Sequence, residues 1–181
     1  MQTANETILS IDLEKLTYNF SYLKSKLNQK TKIIAVVKAF AYGHGDVELS
    51  KKLGDLGIYA LWVTDFEEGV ILRKAGITTK IIVANPGIKS YNEIIKYKLD
   101  VIVYNSRLLE LYAKKKNSIN IHIKFNTGMN RYGFNKDQMD SIAKTLNLNS
   151  HLNVLSICSH LASADKKEKN NFTLVQLNNF N

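Results

Sequence analysis

The apolar positions of this chain change rhythm after the first thirty or so residues. Behind Asp12, a good helix N-cap, they fall at Leu13, Leu16, Phe20, Leu23 and Leu27, the three-and-four step of one helix face. From there on, short runs of branched and aromatic residues alternate with helical patterns. The runs are Ile33 to Val37, Tyr59 to Val63, Lys80 to Ala84, Val101 to Tyr104, Ile119 to Phe125 and Val154 to Ser159. Most are apolar throughout, as expected of parallel strands covered on both faces. Helical patterns lie between them at about Asp46 to Leu56, Phe66 to Ala75, Tyr91 to Tyr97, Leu108 to Lys116 and Asp137 to Leu146, with a last one after Asp165.

Local signals punctuate these elements. Thr64-x-x-Glu67 or Asp65-x-x-Glu68, and Asp165-x-x-Glu168, have capping-box spacing, and Gly57 and Gly76 stand where helices should stop. Strand starts recur at the length of a βα unit, so the pattern predicts an α/β chain of about six such units. Two architectures accommodate six units in a row, an open doubly wound sheet and part of a (β/α)8 barrel of the TIM type. Regular succession favours the barrel, because an open sheet more often has a long crossover where strand order reverses. A barrel needs eight units and about 250 residues; with 181 residues the sheet is not expected to close within this chain.

Composition narrows the class of function. With 45% hydrophobic and 23% charged residues the chain is an ordinary globular one. No apolar run approaches the roughly 20 residues of a membrane span, and the start, MQTANETILSIDLEK, has no basic segment followed by an apolar one; a cytoplasmic location is the expectation. The net charge of +9 is spread over many segments, and Lys114-Lys115-Lys116 follows a helical pattern, so a nucleic-acid partner is not indicated. The single cysteine, Cys158, lies in the apolar run VLSICSHLA and reads as a small core residue rather than a nucleophile. The histidines share no ligand spacing, which leaves metal dependence unsupported.

The chemistry is expected at strand ends, the working face of a barrel. Lys38 ends the first run in VVKAFAYGHG. Its neighbours Val36, Val37 and Ala39 favour a neutral amine, the form that attacks a carbonyl, although a lysine reaching from a strand end to water would look the same. The turn that follows decides between these readings. Glycines let backbone approach a ligand, and a helix start offers N–H groups to an anion; with the Tyr42 hydroxyl, the set suits a phosphate-bearing aldehyde. A second cluster, IKFNTGMNRYGF, ends a strand at Lys124 and carries Arg131 between Gly128 and Gly133, a fixed charge able to donate to a ligand oxygen. A third, SHLASAD, puts His160 at the end of the sixth run, where a lone histidine is more often a hydrogen-bonded structural residue than a catalyst.

In these three clusters the chain closely resembles alanine racemase, a pyridoxal phosphate enzyme of fold type III, in its N-terminal barrel domain. VVKAFAYGHG matches a signature close to VVKANAYGHG, KFNTGMNRYGF matches KxDTGMxRxGF, and SHLASAD matches (T/S)HxAxAD. The resemblance runs from about Ile8 to the last residue. It implies that residues 1–181 are an incomplete N-terminal barrel domain, that a C-terminal β domain is absent, and that the 181 residues alone are inactive. It implies further that Lys38 forms the internal aldimine with pyridoxal phosphate and is one of two racemisation bases, that Tyr42 bonds the cofactor phosphate, and that Arg131 bonds the phenolic oxygen of its ring and contributes to substrate binding. Lys124 matches a lysine carbamylated in many members, whose carbamate orients the arginine, and His160 matches a histidine near the cofactor ring.

On this resemblance the reaction is interconversion of L-alanine and D-alanine for peptidoglycan synthesis, in a homodimer whose second base is a partner tyrosine lying downstream of residue 181. The alternative is a pyridoxal phosphate-binding barrel that handles cofactor without racemising. Two positions depart from the family pattern. Phe40 stands where asparagine is usual, and Asn126 stands where aspartate is usual, removing a charge near Lys124 and Arg131.

Overall fold

The alternation of short apolar runs with helical patterns yields six strands, β1 (Ile34–Val36), β2 (Ala60–Val63), β3 (Lys80–Val83), β4 (Asp100–Val103), β5 (Ile119–Lys124) and β6 (Leu152–Cys158). The structure, a computed structural model, describes residues 7–166 and 171–181. The strands form one sheet in the order β1-β2-β3-β4-β5-β6. Pairing is parallel in β1 with β2 (Ile34 opposite Ala60), β4 with β5 (Val101 opposite Ile121) and β5 with β6 (Ile119 opposite Leu152). Sequential order without reversal is the mark of barrel-type succession, since a doubly wound sheet must reverse direction at its switch point. Each gap between strands holds at least one helix, from the single turn α2 (Lys38–Tyr42) and α3 (Asp46–Asp55) through α4 (Phe66–Lys74), α5 (Tyr91–Lys96) and α6 (Ser106–Lys114) to α7 (Met139–Asn147). By its contacts the chain divides into two compact units, Met1–Ile82 and Val83–Asn181.

In the first unit α1 (Leu13–Ser25) begins where expected, with the Asp12 carboxylate accepting the Glu14 and Lys15 N–H groups at 2.9 and 3.1 Å. The apolar stripe behind it is only partly covered. Phe20 is buried, whereas Leu23 is exposed and Leu27 lies past the end of the helix. The N-terminal part of α1 leans on α3, where Lys52 donates to Glu14 at 3.1 Å. Helix α4 is capped by Asp65, whose side chain accepts the Glu68 N–H at 3.1 Å. Neither predicted capping box around it is complete. The Glu68 carboxylate turns instead to the Thr64 and Ala39 N–H groups.

The second unit contains β4, fully buried along its length, and the buried faces of β5, α5 and α6. A capping box that the spacing analysis did not include forms at Asn135 and Gln138, ahead of α7. The last helix, α8, spans Asn171–Phe180; Glu168 of the third predicted capping box lies outside the described residues. The expectation that strands are covered on both faces holds for β2 and β4 and fails at the two ends of the order. In β1, Ile34 and Val36 are exposed, and in β6 so are Val154, Leu155 and Ile157. Among the described residues these two strands stand at the ends of the order, with a strand neighbour on one side, and their apolar residues are less covered than those of the interior strands.

Candidate active site

Lys38 stands two residues past the end of β1, half-buried, and the chain behind it does something the glycines of AYGHG do not suggest. Ala39, Phe40, Ala41 and Tyr42 all adopt left-handed backbone, with φ of 51°, 55°, 49° and 56°. The predicted turn, expected from Tyr42, therefore starts three residues early and is made largely by residues with side chains; Gly43 (φ 88°) and Gly45 (φ 91°) only complete it before α3. Each L-residue in this conformation costs about 1–2 kcal/mol. The turn holds itself together by Ala41 N–H to Val37 O at 3.0 Å, Gly43 N–H to Ala39 O at 3.1 Å and Gly45 N–H to Phe40 O at 3.0 Å. His44 Nδ1 lies 2.9 Å from Ala41 O.

The turn has two consequences for the site. It brings the Tyr42 ring under the lysine, with Lys38 Nζ 5.8 Å from the ring centroid, close enough for a cation–π contact. It also explains how Phe40 is accommodated. The side chain at this position is 61% exposed, so an aromatic ring displaces nothing in the core. Tyr42 is likewise largely exposed, at 60%.

In the second unit, Lys124 is the last residue of β5 and pairs with Cys158, the last of β6. Burial lowers the Lys124 amine below the ordinary lysine range; the neighbouring Cys158 opposes the shift and the Arg131 guanidinium adds to it. Burial also pushes the Cys158 thiol up to about 11, which fits the inert residue expected there. Lys124, Arg131 and His160 line one small cleft together with Asn126, Met129 and Tyr132. The loop carrying Arg131 is closed at its base by Asn126 N–H to Phe134 O and Phe134 N–H to Lys124 O, both 2.8 Å. This closure demands glycine at position 133, where φ is 132° and an added Cβ would lie 2.5 Å from the Asn126 nitrogen and the Phe125 carbonyl carbon.

Asn126 is well used in place of a carboxylate. Its Oδ1 accepts the Gly128 and Asn130 N–H groups at 3.1 and 3.0 Å, while its amide donates to Asn130 Oδ1 at 2.8 Å and to Asn135 Oδ1 at 3.3 Å. The acceptor role that either residue could fill is kept, and two donor contacts unique to the amide are added. Next to Arg131, the Tyr132 ring packs on Tyr104, centroids 4.7 Å apart, and the Tyr104 hydroxyl donates to Asn85 Oδ1 at 2.6 Å.

Two further residues, one in each unit, support these clusters and were not picked out as site residues from the sequence. Gln176 of α8 is completely buried between the Arg131 and His160 loops. Its Oε1 accepts the Ala162 N–H at 2.9 Å, and its Nε2 donates to His160 O at 2.8 Å and to Thr127 Oγ1 at 3.2 Å. Thr127 and Ser159 bridge the same loops hydroxyl to hydroxyl at 2.7 Å. A glutamine set among Leu174, Val175 and Leu177 in NFTLVQLNNF is the signal that could have revealed it. The other is Glu68, which in sequence looked like a local cap.

Comparison with known proteins supports the grouping of these motifs. The sequence profile of the family "Alanine racemase, N-terminal domain" matches residues 11–181. The chain belongs to this family. It is 36% identical to the alanine racemase of Fusobacterium nucleatum subsp. nucleatum over 177 residues, covering 96% of this chain and 49% of that protein. It is also 36% identical to an amino-acid racemase of Enterococcus faecalis over 162 residues, covering 89% of this chain and 23% of that protein. Among solved structures, alanine racemase of Clostridium difficile 630 superposes with a TM-score of 0.87 at 30% identity, over 93% of this chain and 46% of that one. The chain thus spans about half the length, or less, of the relatives it matches. Its fold is six of the eight βα units of the alanine racemase N-terminal barrel, as the succession of strands predicted.

Proposed function

We propose that the protein carrying this chain is a pyridoxal phosphate-dependent alanine racemase that supplies D-alanine for peptidoglycan, working as a cytoplasmic homodimer, and that residues 1–181 are the N-terminal part of its barrel domain. The observation that carries the reading is the half-buried Lys38 at a strand end, followed by a left-handed turn that sets Tyr42 beside it. The donor set of the chain fits the cofactor. Space is open at Gly43 and Gly45, where an added Cβ would meet no atom within 4 Å, so a phosphate has access to the turn backbone.

When bound, pyridoxal phosphate withdraws electrons from the substrate Cα and so acidifies its proton. Lys38 would hold the cofactor covalently and, as its amine is freed, carry a proton to or from Cα on one face. The Tyr42 hydroxyl would donate to the phosphate, and Arg131 to the ring oxygen and the substrate side of the site. The amine of Lys124, whose burial eases loss of its proton, would in its neutral form add to carbon dioxide, forming an N–C bond and releasing one proton, and the resulting carbamate would align Arg131. His160 would stand beside the cofactor ring. The base for the opposite face would come from the partner subunit, and the 181 residues alone would not turn over substrate.

The test uses the whole protein with pyridoxal phosphate added. A visible absorption band, a pyridoxyl adduct mapped to Lys38 after borohydride reduction, and conversion of L-alanine to the D form are the expected results, all three absent in Lys38→Ala. An adduct at another lysine, or racemisation that survives in Lys38→Ala, overturns the reading. Binding and adduct without conversion of alanine or any larger amino acid would favour the non-racemising alternative.

A further inference from the structure

Glu68 lies in the first turn of α4, where an acidic residue ordinarily serves its own helix end. Its carboxylate does something less local. Oε1 accepts the N–H of Ala39 and Oε2 the N–H of Thr64, each at 2.6 Å, so the two oxygens clasp the chain just beyond the end of β1 to the chain just beyond the end of β2. Both bonds are short, as charge-assisted hydrogen bonds are. The Ala39 N–H is the first amide after Lys38, and Ala39 opens the run of four left-handed residues. A chain released at that amide would relax toward the ordinary right-handed or extended conformations and carry the lysine backbone with it.

We propose that Glu68 is a positioning residue for Lys38: its carboxylate holds the left-handed turn in place and thereby fixes where the lysine amine stands. The proposal rests on the reading that Lys38 carries the cofactor. Glu68 has the geometry for the task because a carboxylate is the side chain that accepts from two N–H groups through two equivalent oxygens. A glutamine of the same shape would turn an NH2 group toward one of them. The neighbouring cap, Asp65, serves α4 without touching the turn, since its side chain accepts the Glu68 N–H. The two acids therefore separate a structural role in the helix from a role at the lysine.

The experiment compares the whole wild-type protein with Glu68→Gln, Asp65→Ala and the pair Glu68→Gln with Ala39→Gly. The readouts are the dissociation constant for pyridoxal phosphate, the pH midpoint of the visible band, the yield of adduct at Lys38, and hydrogen exchange of the amides at 38–43. Glu68→Gln is expected to weaken cofactor binding about tenfold, the loss of one hydrogen bond to a charged group, to move the pH midpoint and to speed exchange at Ala39. Asp65→Ala is expected to lower the unfolding midpoint while leaving the pH midpoint where it was. Ala39→Gly removes the steric cost of positive φ at the head of the turn, and should restore most of the affinity lost in Glu68→Gln.

Unchanged binding and band in Glu68→Gln overturn the proposal, as does an equal change in Asp65→Ala, or a glycine that rescues nothing. Should Glu68→Gln fail to fold, exchange of the Ala39 amide in the wild-type protein decides: protection comparable to strand amides supports the clasp, and exchange at the rate of an open loop sinks it. A wild-type protein that forms no adduct at Lys38 instead defeats the functional reading itself, which keeps the two failures apart.

Discussion

Replacing Gln176 with leucine removes one side chain and strands three partners. Leucine has nearly the volume of glutamine, so the change leaves little cavity and isolates the polar contribution. The Ala162 N–H, the His160 carbonyl and the Thr127 hydroxyl each lose a hydrogen bond at 2.9, 2.8 and 3.2 Å, in a place where Gln176 is wholly shielded from water. At about 1 kcal/mol net for each bond, and more for any partner left without a substitute, the variant should lose about 3 kcal/mol of stability. That is a large share of the roughly 5–15 kcal/mol a domain holds. Equilibrium urea unfolding is the assay, with the loss appearing as a lower midpoint at unchanged slope. Hydrogen exchange should rise at 126–134 and 159–163 and stay unaltered at 34–42, because the glutamine ties only the loops of the second unit. A loss under about 1 kcal/mol, or exchange that rises evenly along the chain, would refute the assignment of Gln176 as the tie between the Arg131 and His160 loops.

Gly133→Ala places a Cβ 2.5 Å from main-chain atoms of Phe125 and Asn126 at a φ of 132°. Backbone cannot yield as a side chain can, so the variant should lose several kcal/mol, roughly the range of a strained or overpacked core substitution, and should bind pyridoxal phosphate more weakly; a thermal melt and a cofactor titration check both. Cys158, with its thiol pushed up to about 11 by burial, should label slowly with iodoacetamide at neutral pH and faster as pH climbs toward 11, and rapid labelling at neutral pH contradicts the burial argument. The same shift has a sign for stability. A thiol whose folded value lies above the unfolded one, nominally 9.0, favours the folded state fully below pH 9, and that contribution declines as pH rises from about 9 to about 11. Cys158→Ala should flatten this part of the stability curve.

The elements and their class were legible because they depend on neighbours along the chain. A run such as Lys80–Val83 between helical patterns cannot hide an amphipathic face, and Asp12 caps α1 through amides two and three residues away. The strand-end lysine, Lys38, and the glycine-bracketed Arg131 were readable for the same reason: glycine and lysine at those places carry a local cost that calls for an explanation. Where the local reading went astray, a distant partner had prevailed. Glu68 sits at the right spacing for a capping box, yet its carboxylate goes to an amide 29 residues back. Gln176 reads as one of several polar residues in its helix, and its hydrogen-bond partner Thr127 is 49 residues away.

By itself the sequence determined periodicity, the succession of βα units and the choice of candidate reactive groups, since these follow from the backbone preferences and side-chain chemistry of residues close together in the chain. Only the tertiary structure decided the left-handed path from Ala39 to Tyr42, the carboxylate that clasps it, and the glutamine that joins two loops. A run of four positive φ angles on residues with side chains is unfavourable in isolation. It persists because hydrogen bonds within the turn, joined by the one that the Ala39 N–H donates to Glu68 on a helix remote in sequence, offset its cost, and no stretch of residues read alone contains that balance.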